Sequence, residues 1–241
     1  MNINDLEEKI RQSESMSLSA AFPILMRKVY LWMAMALAIS GLTAYSVAAS
    51  PGLVQLIYSN SLVMWGCIIA ELVMVWKISN SVTKENRSLA TTTLMFIIFS
   101  ALNGLTLSSI FVVFAPAAIV KTFVITAGTF GVMAAYGYFT SRDLTKIGGL
   151  LFMALIGVII ASVVNMFLHS SGLDLVVSII GVLVFVGLTA WDSQKIKMSL
   201  AMAPDLGETS QKLALTGALS LYLDFVNLFL YLLRFFGGSR D

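Results

Sequence analysis

Three carboxylates interrupt or border long apolar stretches of this 241-residue chain: Glu71, Asp192 and Asp224. A charged side chain in the middle of a membrane costs about 2.5–3.5 kcal/mol on insertion scales, so such residues are candidates for function by default. Asp224 is the strongest candidate, because it lies in the middle of the last apolar stretch. A carboxyl group there could bind a cation, exchange a proton or hold a hydrogen-bond network together.

The stretch around Asp224 has two different faces if it is helical. At about 100° per residue, one side carries a polar stripe: Gly217, Ser220, Asp224, Asn227 and Tyr231. The other side is apolar and lipid-like: Leu219, Leu223, Phe225, Phe229, Leu230 and Leu233. We expect the polar stripe to face other helices or water. A hydrogen-bond network that only stabilises the bundle remains the alternative.

Asp192 and Asp224 lie in the inner halves of consecutive, antiparallel segments, so they can face each other. Two carboxylates across a narrow, poorly hydrated site cannot both ionise cheaply, and the pair is expected to share a proton near neutral pH. Glu71 is a candidate third member. The alternatives are an ion pair between Asp192 and Lys195 at the membrane boundary, and a Glu71 carboxyl that is neutral or paired within the bundle.

The composition places these carboxylates in a membrane protein. Hydrophobic residues make up 58% of the chain and charged residues 12%, with a mean hydropathy of +0.89, whereas soluble domains are about 45–50% apolar and 25% charged. Since about 20 helical residues cross the hydrocarbon core, the apolar runs predict seven spans: 29–49, 61–78, 89–114, 117–139, 147–168, 175–191 and 213–236. Residues 1–28 are then a polar amino-terminal tail, 29–236 a seven-helix membrane domain and 237–241 a short tail.

Basic residues predict the orientation of these spans. If seven segments alternate, all but three of the 15 Lys and Arg residues fall on one side, and only Lys121, Arg234 and Arg240 fall on the other. The positive-inside rule therefore places the amino terminus in the cytoplasm and the carboxyl terminus outside. A re-entrant last segment would return Arg234 and Arg240 to the inside, and charge counting does not exclude it.

Other chemistry finds little support in the sequence. The single Cys67 excludes an intrachain disulfide, and His169 lies in a short polar turn. The net charge of +2 comes from scattered basic residues, so we expect no nucleic-acid partner, no cofactor and no enzymatic activity. Small residues repeat every four positions at Ala127, Gly131 and Ala135, and at Gly157 and Ala161, which suggests close helix packing, although such residues are common in membrane helices.

Three stretches resemble a known family. They are ALNGLTLS at 101–108, GLTAWD at 187–192, and GALSLYLDFVNLF at 217–229 followed by LLRFFG at 232–237. Together they resemble the Bax inhibitor-1, or transmembrane Bax inhibitor motif, family over nearly the whole chain after the tail. The short, compact form is similar to bacterial members, which implies a cell inner membrane location.

The resemblance implies a seven-helix bundle with a central last helix. It also implies a pH-sensitive calcium leak in which Asp192 and Asp224 sense pH, gate the pore and are the ion ligands. Glu71, Asn103, Ser220 and Asn227 are then candidates for the ion pathway. The basic residue that some members place against the aspartates has no clear counterpart; Lys84 and Arg87 are the candidates.

Two other functions compete with a leak. An intramembrane aspartyl protease also uses two aspartates on late segments, but it needs glycines just before the second aspartate, where Leu221, Tyr222 and Leu223 stand. The second alternative is a membrane protein that transports nothing and instead binds and inhibits a protein partner, such as a membrane protease or stress-response protein. A leak and such a modulator would use the same bundle.

The predicted topology can be tested with reporter fusions. A reporter after Asp241 should be external and one near Thr209 internal, because the last segment crosses the membrane between them. The readout is reporter activity in intact cells. Two internal signals would contradict a full crossing and favour a re-entrant last segment.

Overall fold

A computed structural model describes residues 3–84 and 87–237, with side chains from Ala21 onward. The regular elements in these residues are helices: α1 (Ile3–Ala48), α2 (Pro51–Tyr58), α3 (Ser61–Ser79), α4 (Leu89–Val113), α5 (Pro116–Phe139), α6 (Thr145–Leu168), α7 (Ser171–Ala201) and α8 (Glu208–Phe236). Seven of them, all except α2, contain a segment long and apolar enough to cross a membrane. The prediction of an all-α integral membrane protein with seven spans is confirmed.

Local sequence signals set where several helices begin. The side chains of Asn60, Ser88 and Ser170 accept hydrogen bonds from backbone N–H groups in the first turns of α3, α4 and α7, as N-cap residues do. Pro51 and Pro116 lie at the starts of α2 and α5, where proline loses no intrahelical hydrogen bond. The Pro51 turn signal therefore separates α1 from a short helix that the sequence analysis did not predict.

Helices α1 and α7 extend furthest beyond the predicted spans. Helix α1 is continuous through the predicted boundary at residue 28, and Ala21, Leu25 and Met26 are buried in the core. Helix α7 continues past Trp191 to Ala201, so Asp192 lies within a helix rather than at its end. In both cases the additional helical turns pack against other helices, which stabilises them. Hydropathy alone does not predict these turns, because they are less apolar than the spans.

Helix α8 is the central element. In its most apolar window 61% of the residues are buried, compared with 6% in α3 and 11% in α6. It packs against α1, α3, α4, α5 and α7. The expectation of a central last helix is therefore confirmed.

The central position of α8 corrects the expectation of a lipid-like face. Leu219, Phe225 and Leu233 belong to that face and are at most 4% exposed. The Phe225 ring lies 5.4 Å from the rings of both Phe123 and Phe130 on α5, in edge-to-face geometry. The apolar face of α8 is therefore a protein interface, because the other helices surround it.

The predicted small-residue interface on α5 is also wrong. Ala127, Gly131 and Ala135 are exposed, and a Cβ atom at Gly131 or Gly157 would have no neighbour within 4 Å. The face of α5 that packs inward is offset by one residue and consists of Thr122, Thr126, Phe130 and Ala134. Spacing of four residues identifies a helical face but does not say which face meets a neighbour.

The closest helix approaches occur at other glycines. A Cβ atom at Gly104 on α4 would overlap the backbone of Ser40 on α1, and one at Gly137 on α5 would overlap the backbone carbonyl of Ala190 on α7. Neither glycine has a positive φ. These positions therefore require glycine for space rather than for backbone conformation.

Polar side chains hold together the end of the bundle where most basic residues lie. Lys28 Nζ on α1 donates to Gln211 Oε1 on α8 at 2.8 Å, and Lys197 Nζ on α7 donates to the Tyr138 carbonyl on α5 at 2.7 Å. Helix α8 then runs without a break through Asp224 to Phe236. A continuous helix of 29 residues favours a full crossing over a re-entrant segment.

Two glycines on one helix provide a test of this packing. Gly137→Ala should lower the free energy of unfolding by about 1–3 kcal/mol, because the added methyl group overlaps the α7 backbone. Gly131→Ala is the matched control and should be neutral or slightly stabilising, since nothing lies near it and alanine favours a helix. Thermal unfolding in detergent micelles measures both. Equal effects of the two substitutions would contradict the described α5–α7 contact.

Candidate functional site

Asp192 and Asp224 line the same cavity between α7 and α8. The cavity has a volume of about 530 Å³, and α3 and α6 contribute to its walls through Leu72 and Phe152. Asp224 is only 5% exposed, whereas Asp192 is half-buried. The structure thus brings together the two aspartates that the sequence analysis paired.

One oxygen atom of this pair is unsatisfied. Asp224 Oδ2 is buried and accepts no hydrogen bond from the described residues. The other buried side-chain oxygens without partners in this part of the chain belong to hydroxyl groups: Ser81, Thr122, Ser178 and Thr216. A buried acceptor without a partner costs about 1–3 kcal/mol, and more when it is charged. The purely structural explanation of Asp224, a satisfied network, therefore fits this face of α8 poorly.

The ion pair between Asp192 and Lys195 that the spacing allowed does not form. Among the described residues, no Lys or Arg nitrogen lies within 4.0 Å of an Asp192 oxygen. The Lys195 ammonium instead lies 5.0 Å from the centre of the Trp191 ring. Lys195 also lines the cavity, so a basic side chain lies at the site without pairing with Asp192.

The two basic candidates from the sequence lie elsewhere. Lys84 Nζ is 5.8 Å from the centre of the Trp76 ring, and Arg87 donates to the Lys77 carbonyl at the end of α3. Neither residue lines the aspartate cavity.

A second, smaller cavity lies next to the first, toward the inner part of α8. Its volume is about 90 Å³, and Asp192, Lys195 and Ser220 line it as well as the larger cavity. The unpartnered Thr216 hydroxyl belongs to this smaller cavity. Asn227 lines the larger one and donates to the Leu223 carbonyl of its own helix at 2.8 Å. The polar stripe on α8 therefore follows both cavities.

Glu71 and Asn103 form a separate site between α3 and α4. Asn103 Nδ2 donates to Glu71 Oε2 at 3.2 Å, and Thr106 Oγ1 lies 2.9 Å from Glu71 Oε1 and donates to it. Glu71 does not line the aspartate cavity. The structure therefore does not make it a third member of the aspartate pair, because its side of α3 faces α4.

Tyr222 extends the Glu71 site across the bundle. Its hydroxyl donates to Asn103 Oδ1 at 2.8 Å and lies 2.7 Å from Ser40 Oγ on α1. Tyr222 is fully buried. It precedes Asp224 by two residues, so the two side chains leave α8 about 200° apart. One side of α8 thus carries a connected network, and the other carries the unsatisfied aspartate.

Sequence reasoning missed Tyr222, Ser40 and Trp191 as parts of these two sites. A tyrosine or serine in an apolar helix is usually a core residue, and nothing in the sequence distinguishes Tyr222 and Ser40 from the others. Spacing did point to Lys195, but as an ion-pair partner of Asp192 rather than as a residue held by Trp191.

Calcium or another hard cation would find few protein ligands here. Within residues 3–84 and 87–237, no group of three or more His, Cys, Asp or Glu side chains could hold a metal ion. Two carboxylates and nearby hydroxyl and amide oxygens are fewer than the 6–8 oxygens that calcium prefers. A cation in this cavity would keep part of its water shell and bind weakly.

Comparison with known proteins identifies the family. Residues 23–241 match the family described as inhibitor of apoptosis-promoting Bax1. The chain belongs to this Bax inhibitor family. The match covers every described helix except the first part of α1.

Bacterial relatives share most of this length. The chain is 48% identical over 217 residues to the inner membrane protein YbhL of Escherichia coli K12, which covers 89% of this chain and 92% of YbhL. It is 46% identical over 214 residues to a protein of Borreliella burgdorferi, covering 89% of this chain and 91% of that protein. Protein RP147 of Rickettsia prowazekii is 41% identical over 216 residues, which is 90% of both chains. The aspartate cavity therefore lies in a bundle of a family represented in several bacteria.

The network around Tyr222 should stabilise this Bax inhibitor family bundle. Tyr222→Phe removes a hydroxyl that connects Ser40 with Asn103 and should lower the free energy of unfolding by about 1–3 kcal/mol, because buried polar groups lose their partner. The matched control is Tyr136→Phe, since Tyr136 is 46% exposed on α5. Thermal unfolding in detergent measures both variants. A Tyr222→Phe protein as stable as the Tyr136→Phe protein would contradict a stabilising network.

Proposed function

We propose that this protein is a pH-sensitive leak pathway for calcium ions, gated by Asp192 and Asp224. The observation that carries the proposal is the buried carboxylate of Asp224, whose Oδ2 atom accepts no hydrogen bond from the described residues. It shares a cavity with Asp192 between two membrane helices. A buried, unsatisfied carboxylate is costly. Helix packing gives no reason to keep a carboxylate at this position, whereas the passage of cations would.

The pH sensitivity follows from repulsion between the two carboxylates. In a poorly hydrated cavity one negative charge opposes the formation of a second, so the pair holds a proton that neither aspartate would hold alone. Loss of this proton changes the charge of the cavity by one unit. Because that charge attracts cations and drives the side chains apart, occupancy and shape of the cavity would both depend on pH.

Weak binding suits a leak. Since an ion must leave the site as well as enter it, conduction needs sites of limited affinity. Hydroxyl and amide groups next to the aspartates, such as Ser220 and Asn227, could replace part of the water shell. Glu71 and Asn103 are assigned to the hydrogen-bonded network between α3 and α4 rather than to this pathway.

The proposed location is the bacterial inner membrane. YbhL is named an inner membrane protein, and the seven apolar helices are compatible with the same location. The excess of Lys and Arg at one end of the bundle supports a cytoplasmic amino terminus under the positive-inside rule. With seven crossings the carboxyl terminus would be external.

The direct test is calcium flux into liposomes that contain the purified protein and a calcium-sensitive dye. Wild-type protein should carry calcium faster than empty liposomes, with a rate that depends on pH. Equal rates with and without protein at every pH would contradict a leak. A folded protein without flux would favour the alternative, a membrane protein that binds and inhibits a protein partner.

Asparagine substitutions test the shared proton. Asp224→Asn removes one negative charge but keeps the shape, so the midpoint of the flux curve should move toward acidic pH by about one unit or more. Asp192→Asn should also move the midpoint toward acidic pH. The double variant should lose the pH dependence that the pair produces, because neither asparagine titrates. Flux is measured at a series of pH values on both sides of the wild-type midpoint.

Asp143→Asn is the matched control, because Asp143 is exposed between α5 and α6, outside the cavity. It should leave the pH profile unchanged. A structural role for Asp224 predicts the opposite pattern: a lower melting temperature for Asp224→Asn and an unshifted pH profile for the remaining flux. That pattern would refute the shared proton.

A further inference from the structure

Lys195 is the basic side chain at the aspartate site. It lies on α7 one helical turn after Asp192, and it lines both the larger and the smaller cavity. No other Lys or Arg among the described residues lines either of them. The lysine stem is long and flexible, so its ammonium group has more than one position within reach.

In the structure the ammonium group is held away from the carboxylates. It lies over the Trp191 ring, 5.0 Å from the ring centre, where the electron-rich face of the indole attracts a cation. The Lys195 side chain is exposed on this side, as expected for a lysine whose charged end extends toward the membrane surface. The aspartates are thereby left without a basic partner.

The position of the Trp191 ring is fixed by the neighbouring helix. Gly148 on α6 packs directly against the indole, and a Cβ atom at Gly148 would overlap several of its ring atoms. The Trp191 ring thus lies between Gly148 on α6 and the Lys195 side chain on α7. A ring that is packed in this way offers the ammonium group a defined place next to the cavity.

The same ammonium group can also reach the aspartates. Asp192 and Lys195 are three residues apart on one helix, which is close enough for their side chains to meet. A lysine that left the indole could enter the cavity and neutralise one carboxylate. Its effective concentration there would be on the order of millimolar or higher, because it is attached by a short linker.

We propose that Lys195 is a tethered cation that competes with the permeant ion for the Asp192–Asp224 site, and that Trp191 is a positioning residue that holds it outside. The inference rests on the proposed function and gives a physical reason why the site would prefer a divalent ion. A monovalent ion attracts the carboxylates no more strongly than the tethered ammonium group does. A divalent ion has twice the charge and displaces the ammonium group more easily, so the site selects divalent over monovalent cations.

Five proteins test this inference: wild type, Trp191→Leu, Trp191→Phe, Lys195→Gln and the Trp191→Leu/Lys195→Gln double variant. The readout is modification of Asp192 and Asp224 by a membrane-soluble carbodiimide, which reacts with protonated carboxyl groups and is measured by mass spectrometry of peptides. It needs no ion flux. Failure of this inference is therefore distinguishable from failure of the proposed leak, which wild-type flux alone decides.

We expect Trp191→Leu to reduce modification several-fold, because the released ammonium group pairs with the carboxylates and keeps them ionised. The double variant should return to at least the wild-type level, and Trp191→Phe should lie between wild type and Trp191→Leu, since a phenyl ring still attracts a cation. Equal modification in all proteins would overturn the inference. So would a loss that persists in the double variant, because it would show that Trp191 acts through packing alone.

Lys195→Gln keeps the test decisive if Trp191→Leu does not fold, because Lys195 is exposed and makes no ion pair with the described residues. In liposomes this variant should carry sodium several-fold faster relative to calcium than wild type does. An unchanged ratio of sodium to calcium flux would contradict a tethered competitor. Melting temperatures of all variants serve as the control for folding.

Discussion

Helix α8 has the length of a membrane span but is surrounded by protein, so each of its polar groups must find a partner inside the bundle or in a water-filled cavity. This requirement organises the rest of the structure. Helices α1, α3, α4, α5 and α7 all pack against α8. The close approaches at Gly104 and Gly137 bring α1 against α4 and α5 against α7. These contacts hold the four helices together around α8.

The two sides of α8 meet this requirement differently. On one side Tyr222 connects with Asn103 and Ser40, and Asn103 in turn binds Glu71, so four helices share one hydrogen-bond network. On the other side Asp224 faces a cavity and leaves one oxygen unsatisfied. A bundle that needed polar groups only for stability could satisfy both sides. This difference is the reason that we propose a role in stability for the first side and a role in ion passage for the second.

Much of this arrangement could be predicted from the sequence, and the rest depends on which helices meet. Hydropathy predicted seven spans, and the angular positions of Ser220, Asp224 and Asn227 predicted a common polar stripe. The stripe of Ala127, Gly131 and Ala135 has equally regular spacing but faces outward, because periodicity does not identify a partner. Glu71 was grouped with the aspartates for its charge, whereas the rotation of α3 turns it toward Asn103. Lys195 was assigned to Asp192 by spacing, and Trp191 holds it instead.

The central claim is that Asp192 and Asp224 form the cation site, and the most direct measurement locates a heavy divalent ion. An experimental structure determined with strontium at neutral pH would show the ion by its anomalous scattering. The account predicts a peak in the cavity between α7 and α8, within bonding distance of both carboxylates. A peak beside Glu71 and Asn103, with none at the aspartates, would contradict it.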